Sequence, residues 1–216
     1  MAAGRNDLKG EIFNVAAEMF HDLGYQETTF QRISDKLGIT KGAITYHFKN
    51  KHAILAILFD DAFQTIREYI DQFPEVYRNR YWRVCVMYIY FYRIIMSKER
   101  NISLFYHRNQ LSLWEAGKAD AILEHYRDIL EDFHKPMPPD ELMVTVYSDL
   151  GARRRLYREF MEGNPLLADI DKFVYYHIQL IGNLCRLDQM QIKENIQWAF
   201  EFANSHPSPR IPFLTD

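Results

Sequence analysis

Cysteine is nearly missing from this chain: Cys85 and Cys185 are its only two in 216 residues, far apart and in apolar surroundings. No CxxC pair occurs, which argues against a disulfide framework and suits a reducing cytosol. Glycine and proline are scarce, at 9 and 8 residues, as in a folded globular chain. Long apolar runs are lacking too. The longest, 84–92, is too short to span a bilayer and is ended by Arg93. The opening Met-Ala-Ala-Gly-Arg turns charged and amphipathic, unlike a secretory signal. A soluble, cytoplasmic protein with no membrane partner is the expectation.

Enzyme signatures are absent as well. There is no HExxH, no GxSxG and no phosphate-cradling glycine loop. Glu131 and His134 form a single E-x-x-H, whereas a di-iron bundle needs two of them plus further glutamates. No catalytic residue, metal ligand or cofactor is expected, and the chain does not read as an enzyme. Strand-like alternation never lasts, and no internal repeat is visible. Apolar spacing of 3.6 residues dominates, which predicts an all-α fold.

Acidic residues are abundant overall, 29 of 216, giving a net charge of −3. Yet positions 36–59 contain no Asp or Glu, while Lys36, Lys41, Lys49, Lys51, His47 and His52 all fall there. Local charge, not net charge, sets a local field. Just before this stretch, Leu8, Ile12, Val15, Ala16, Phe20 and Leu23 predict a helix over about 7–23, ended by Gly24. Thr28 or Thr29 caps a second helix whose inner face is Phe30, Ile33 and Leu37, and Gly38 ends it. With Thr40 as the next N-cap, Ile39 and Ile44 have the spacing of a hydrophobic staple. A third helix then covers 41–47, and the tight Gly38-Ile39-Thr40 connection is helix-turn-helix spacing. With Ile44 and Phe48 inward, Lys41, Gly42, Thr45, Tyr46 and His47 face out. Lysine suits a phosphate or guanine edge, a missing side chain lets backbones approach, and hydroxyls suit phosphates and base edges. Lys51, at the start of a fourth helix, is placed for a second phosphate. A solvated basic face is the plainer alternative, but cap, staple, glycine and spacing coincide in one window.

The segment TTFQRISDKLGITKGAITYHFKNKHAIL, 28–55, resembles the DNA-binding signature of the tetracycline-repressor (TetR) family of regulators. Matching positions include Thr28, Ile33, Gly38, Thr40, Lys41, Gly42, Ile44, His47, Phe48, Asn50, Lys51 and Leu55. Two positions depart from the pattern: Ser34 replaces the usual alanine, and Thr45 stands where the family has a phosphate-touching tyrosine, with Tyr46 one residue later. The resemblance implies a helix-turn-helix DNA-binding domain over 1–51 and a larger helical effector-binding and dimerisation domain over 52–216. The DNA-contacting set would be Thr28, Thr29, Gln31, Thr40, Lys41, Gly42, Thr45, Tyr46, His47 and Lys51. It implies a homodimer on a near-palindromic double-stranded DNA operator, with recognition helices about 34 Å apart, acting as a repressor released by a small-molecule effector. A coactivator or protein-binding module without specific DNA binding is the other reading.

Beyond residue 75 the expected helices cover about 76–97, 100–114, 117–134, 139–161, 167–186 and 189–204. The segment YWRVCVMYIYFYRIIM is apolar nearly all round and belongs at the centre of a helical layer. Its tyrosine hydroxyls need partners when buried, which fits core packing for most and a pocket for some. Tyr88, Tyr92 and Trp114 are the candidates to line a pocket for a small apolar or aromatic effector. Arg93 either meets an anionic group on that ligand or, more commonly for such a residue, snorkels to the surface or pairs with a nearby carboxylate. The arginines of 151–160 read as a solvated face paired with acids rather than a second nucleic-acid patch. In the last two helices, Ile170, Phe173, Val174, His177, Ile178, Ile181, Leu184, Ile192, Ile196, Ala199 and Phe200 suit a dimer seam or intrachain core. The resemblance favours the dimer.

Overall fold

The structure, a computed structural model, describes residues 3–109, 118–167 and 169–215. Among these the chain is all-α, without strands. The helices are α1 (Ala3–Glu27), α2 (Phe30–Leu37), α3 (Lys41–His47), α4 (Lys51–Ile70) and α5 (Arg80–Met96). They continue as α6 (Glu99–Asn109), α7 (Lys118–Asp132), α8 (Pro139–Met161), α9 (Ile170–Leu184) and α10 (Gln189–Ser205). No helix of the described residues is long and apolar enough to cross a membrane.

Local chemistry explains the first boundaries. Gly24, at φ 82°, breaks α1 without ending it, so one more turn carries Tyr25 into the core. Thr29 rather than Thr28 is the N-cap of α2, accepting from the Arg32 N–H at 3.2 Å. Gly38, at φ 64°, closes α2 in the left-handed conformation. Thr40 caps α3 through the Ala43 N–H at 3.2 Å. Ile33 and Ile44 are fully buried, with Ile39 packed beside them. The two short helices α2 and α3 thus pack against α1 and each other.

Helix α5 is the axis of the rest. Every residue from Val84 to Tyr92 is buried, as an all-round apolar helix requires. Helices α4, α6, α7, α9 and α10 pack around it. Gly182 on α9 lets α5 come close: a Cβ there would stand 2.6 Å from the Tyr81 hydroxyl, which donates to the Ile178 carbonyl at 2.8 Å.

This arrangement bears on one expectation. Phe173, Val174, His177, Ile178, Ile192 and Ala199 are intrachain core, fully buried within the single chain, whereas Ile170, Leu184 and Phe200 are only partly buried. Helix α5 packs against this buried part of the stripe. The arginine run behaves partly as expected. Arg155 pairs with Glu159 on the surface of α8, but Arg153 turns inward to Asp149 at 2.5 Å.

Candidate nucleic-acid interface and effector cavity

The outer face of α3 is built by what its inner face buries. Ile44 and Phe48 fix the rotation, and Lys41, Gly42, Thr45 and Tyr46 are left exposed, Tyr46 by 71%. Its ring stands edge-on to His47 at 5.0 Å. The Thr45 hydroxyl donates to the Gly42 carbonyl at 3.1 Å, so it is turned along the helix. Gly42 is not demanded by the fold. A Cβ there meets nothing closer than Thr40 Oγ1 at 3.6 Å, an ordinary contact. The glycine therefore costs helix propensity without relieving a clash within the chain. Thr29 and Gln31 are exposed beside it, Gln31 bonding Asp35 at 2.6 Å.

Two residues of the expected DNA-contacting set are placed otherwise. Thr28 is fully buried, and its hydroxyl donates to the Gly24 carbonyl at 2.8 Å, tying off the kink of α1. Lys51 directs its ammonium to the carbonyls of Tyr25 at 2.7 Å, Thr28 at 3.1 Å and Gln26 at 3.3 Å. These are orphan acceptors at the end of α1, which a cation satisfies. Desolvation lowers the Lys51 pKa, with Glu27 opposing, and the ammonium lies 4.1 Å from the Tyr25 ring centroid. These bonds tie the start of α4 to the end of α1. The sequence shows a lysine at the right spacing; only the fold shows that α1 ends under it.

That same Tyr25 joins the module to α6. Its hydroxyl bonds His52 on α4, and its ring stacks on His107 of α6 at 4.5 Å. Arg100, also on α6, donates to the His21 carbonyl at 3.1 Å. One residue past His107, Arg108 bonds Asp60 of α4 at 2.8 Å.

Arg108 and Asp60 line a cavity of 420 Å³ between α4, α5, α6, α7 and α8, together with Phe63, Tyr88, His125 and Arg153 among others. Of the expected ligand residues, Tyr88 lines it. Tyr92 lies one turn away, 6.1 Å from Tyr88 between ring centroids, and is buried against Phe173 and His177 instead. Arg93 points to another side of α5, where Asp171 binds it at 2.6 and 2.8 Å and Asn204 at 2.9 Å; the carboxylate pairing holds. Trp114 lies outside the described residues.

Behind Tyr88 sits a buried polar group that the sequence does not reveal. Burial alone would raise the Asp149 carboxyl, but the bonded Arg153 guanidinium outweighs burial and holds it down to about 2. Burial, with Arg153, pushes His177 down to about 4. Its Nε2 is 3.6 Å from Asp149, too long for a hydrogen bond, so His177 is a neutral neighbour and Arg153 the true counter-ion. Among the described residues no group of three or more His, Cys, Asp or Glu converges as a metal site would.

Residues 12–57 match the family model described as bacterial regulatory proteins, tetR family. The HTH-type transcriptional repressor KstR2 of Rhodococcus jostii is 32% identical over 72 residues, covering 32% of this chain and 35% of that protein. The A-factor receptor protein of Streptomyces griseus is 34% identical over 55 residues, 26% of this chain and 20% of that protein. The tetracycline repressor protein class C of Escherichia coli is 37% identical over 54 residues, 24% of this chain and 25% of that protein. The chain thus matches about a third or less of the length of these relatives. A solved structure of full-length TylP, a TetR regulator from Streptomyces fradiae, superposes with a TM-score of 0.52 at 16% identity, covering 96% of this chain and 94% of that one. At that identity the likeness is one of fold. Residues 12–57 thus resemble the N-terminal domain of tetR-family bacterial regulatory proteins, and the chain as a whole shares the fold of a solved TetR regulator.

Proposed function

We propose that this protein is a ligand-responsive transcriptional repressor that binds a near-palindromic operator as a homodimer and is released by a small-molecule effector. The exposed face of α3 carries the reading: Lys41, a glycine the fold does not need, and Tyr46. Named relatives that share this module are repressors. With Thr28 and Lys51 turned to structural work, the contacting set is Thr29, Gln31, Thr40, Lys41, Gly42, Thr45, Tyr46 and His47. With α5 covering the buried part of the α9–α10 stripe, the outward faces of α8 and α9 are the proposed seam for the second copy. Val144 and Tyr176 are exposed there by 62% and 41%.

Release is a linkage effect, commonly worth about 1–3 kcal/mol of coupling. Helix α6, like α4, touches both ends: Arg108 lines the cavity, while His107 and Arg100 grip α1. An effector that shifts α6 moves the module carrying α3. Lys41→Ala and Tyr46→Ala are expected to weaken binding to the native duplex by about tenfold each, a loss of the size of one good contact, with melting temperature unchanged. Undiminished affinity in both variants removes α3 as the recognition helix.

A further inference from the structure

We infer that the cavity takes a small organic monoanion, a carboxylate on an apolar or aromatic body, with its charged end seated between Arg67 and Arg153. The inference rests on the reading of this cavity as the effector site and adds the ligand's chemistry.

Arg67 comes from α4 and Arg153 from α8, and both line the cavity. In each, the Nε atom is buried and makes no hydrogen bond. The Nδ1 atom of His125, on α7 in the same lining, is in the same condition. An arginine Nε–H is a donor only, and buried donors are ordinarily satisfied. Two guanidinium groups cannot satisfy each other, so a cavity lined by both favours an acceptor with negative charge. The local field agrees: burial, with Arg67, Arg153 and Arg83, holds His125 down to about 4.

The acids already present do not fill this role. Asp149 holds Arg153 through a different nitrogen, Nη2, at 2.5 Å. Asp60 is engaged with Arg108. Asp60, Asp61 and Glu124 are exposed residues of the lining, and like charges there disfavour a multiply charged ligand. That selects a monoanion over a phosphorylated compound. Apart from Gln64, the rest of the wall is apolar or aromatic, with Phe63, Met87, Tyr88 and Ile122, and the 420 Å³ volume suits a small molecule.

The test is calorimetric titration of the purified full chain, without DNA, using 2-naphthoate, 3-phenylpropionate and octanoate, each beside its methyl ester and primary amide. At least one acid is expected to bind saturably, about tenfold or more tighter than its neutral counterparts, the discrimination a charged hydrogen bond gives. Arg67→Met keeps the apolar stem, leaves the Asp149–Arg153 pair intact, and is expected to abolish that preference while the ester binds as before. Equal binding of acids and esters, no binding by any acid of the panel, or an unchanged preference in Arg67→Met each overturns the inference. Adding duplex DNA separates the two readings. An acid that binds with the expected preference but leaves DNA affinity unchanged upholds the anion site and sinks the effector reading.

Discussion

At the scale of single residues, the sharpest functional signal is Gly42. A Cβ at this position meets only Thr40 Oγ1 at 3.6 Å, and alanine improves helix propensity by about 1 kcal/mol. Gly42→Ala is therefore expected to hold or raise the melting temperature while weakening DNA binding. Thermal melting and anisotropy on the same preparation check it, and a variant that binds DNA normally leaves the glycine without a role. Histidine sets a second expectation. His177 is fully buried and its pKa is lowered to about 4 from 6.5, burial first and Arg153 second. The unfolded chain then takes up a proton between pH 6.5 and 4 that the folded chain refuses. Stability is full above pH 6.5 and falls through this window, by on the order of 3 kcal/mol for this one group. His125, lowered to about 4, acts in the same direction. Asp149, held down to about 2, extends the loss below pH 3.8 as its link to Arg153 is protonated away. Denaturant melts at pH 7 and pH 5 read the effect, and His177→Gln is expected to flatten it.

At the scale of elements, α5 is held by close approach. Gly182→Ala places a methyl group 2.6 Å from the Tyr81 hydroxyl and 2.8 Å from Ile192 Cγ1. Both neighbours are fully buried, so neither can yield cheaply. A loss of about 1–3 kcal/mol is expected, the usual cost of overpacking, and a denaturation midpoint at the wild-type value contradicts it. Gly182 sits unremarked in the apolar pattern of α9, because a sequence shows periodicity but not which helix lies across it. What was legible were short-range devices: Thr40 as cap, Gly38 as stop, Ile39 and Ile44 as staple, and Val84–Tyr92 as a buried run. These depend on neighbours a few residues away. Lys51, Thr28 and Arg93 show the limit. Each finds its partner in an element distant in sequence or hidden by a kink, so exposure at the right spacing said little about use. The α9–α10 stripe is equivocal for the same reason, since a core face and a dimer face have the same periodicity.

At the scale of the whole molecule, the net charge of −3 conceals a divided surface. The acid-free stretch 36–59 faces outward through α3, while acidic residues gather elsewhere, three of them around the cavity. On the proposed function, DNA is met by this one face, and the affinity is expected to carry the signature of released counterions. Helix α6 spans from that module to the cavity, so occupancy of one end is expected to be felt at the other. The most direct test is fluorescence anisotropy of the purified protein against duplex DNA flanking its own gene and a scrambled duplex, at about 50 and 200 mM salt. The account predicts tight binding of one protein dimer to the native duplex, weaker binding to the scrambled one, and a fall of about tenfold or more at the higher salt. Binding that is equally weak on both duplexes and indifferent to salt contradicts it, and points instead to a helix-turn-helix that serves a protein partner.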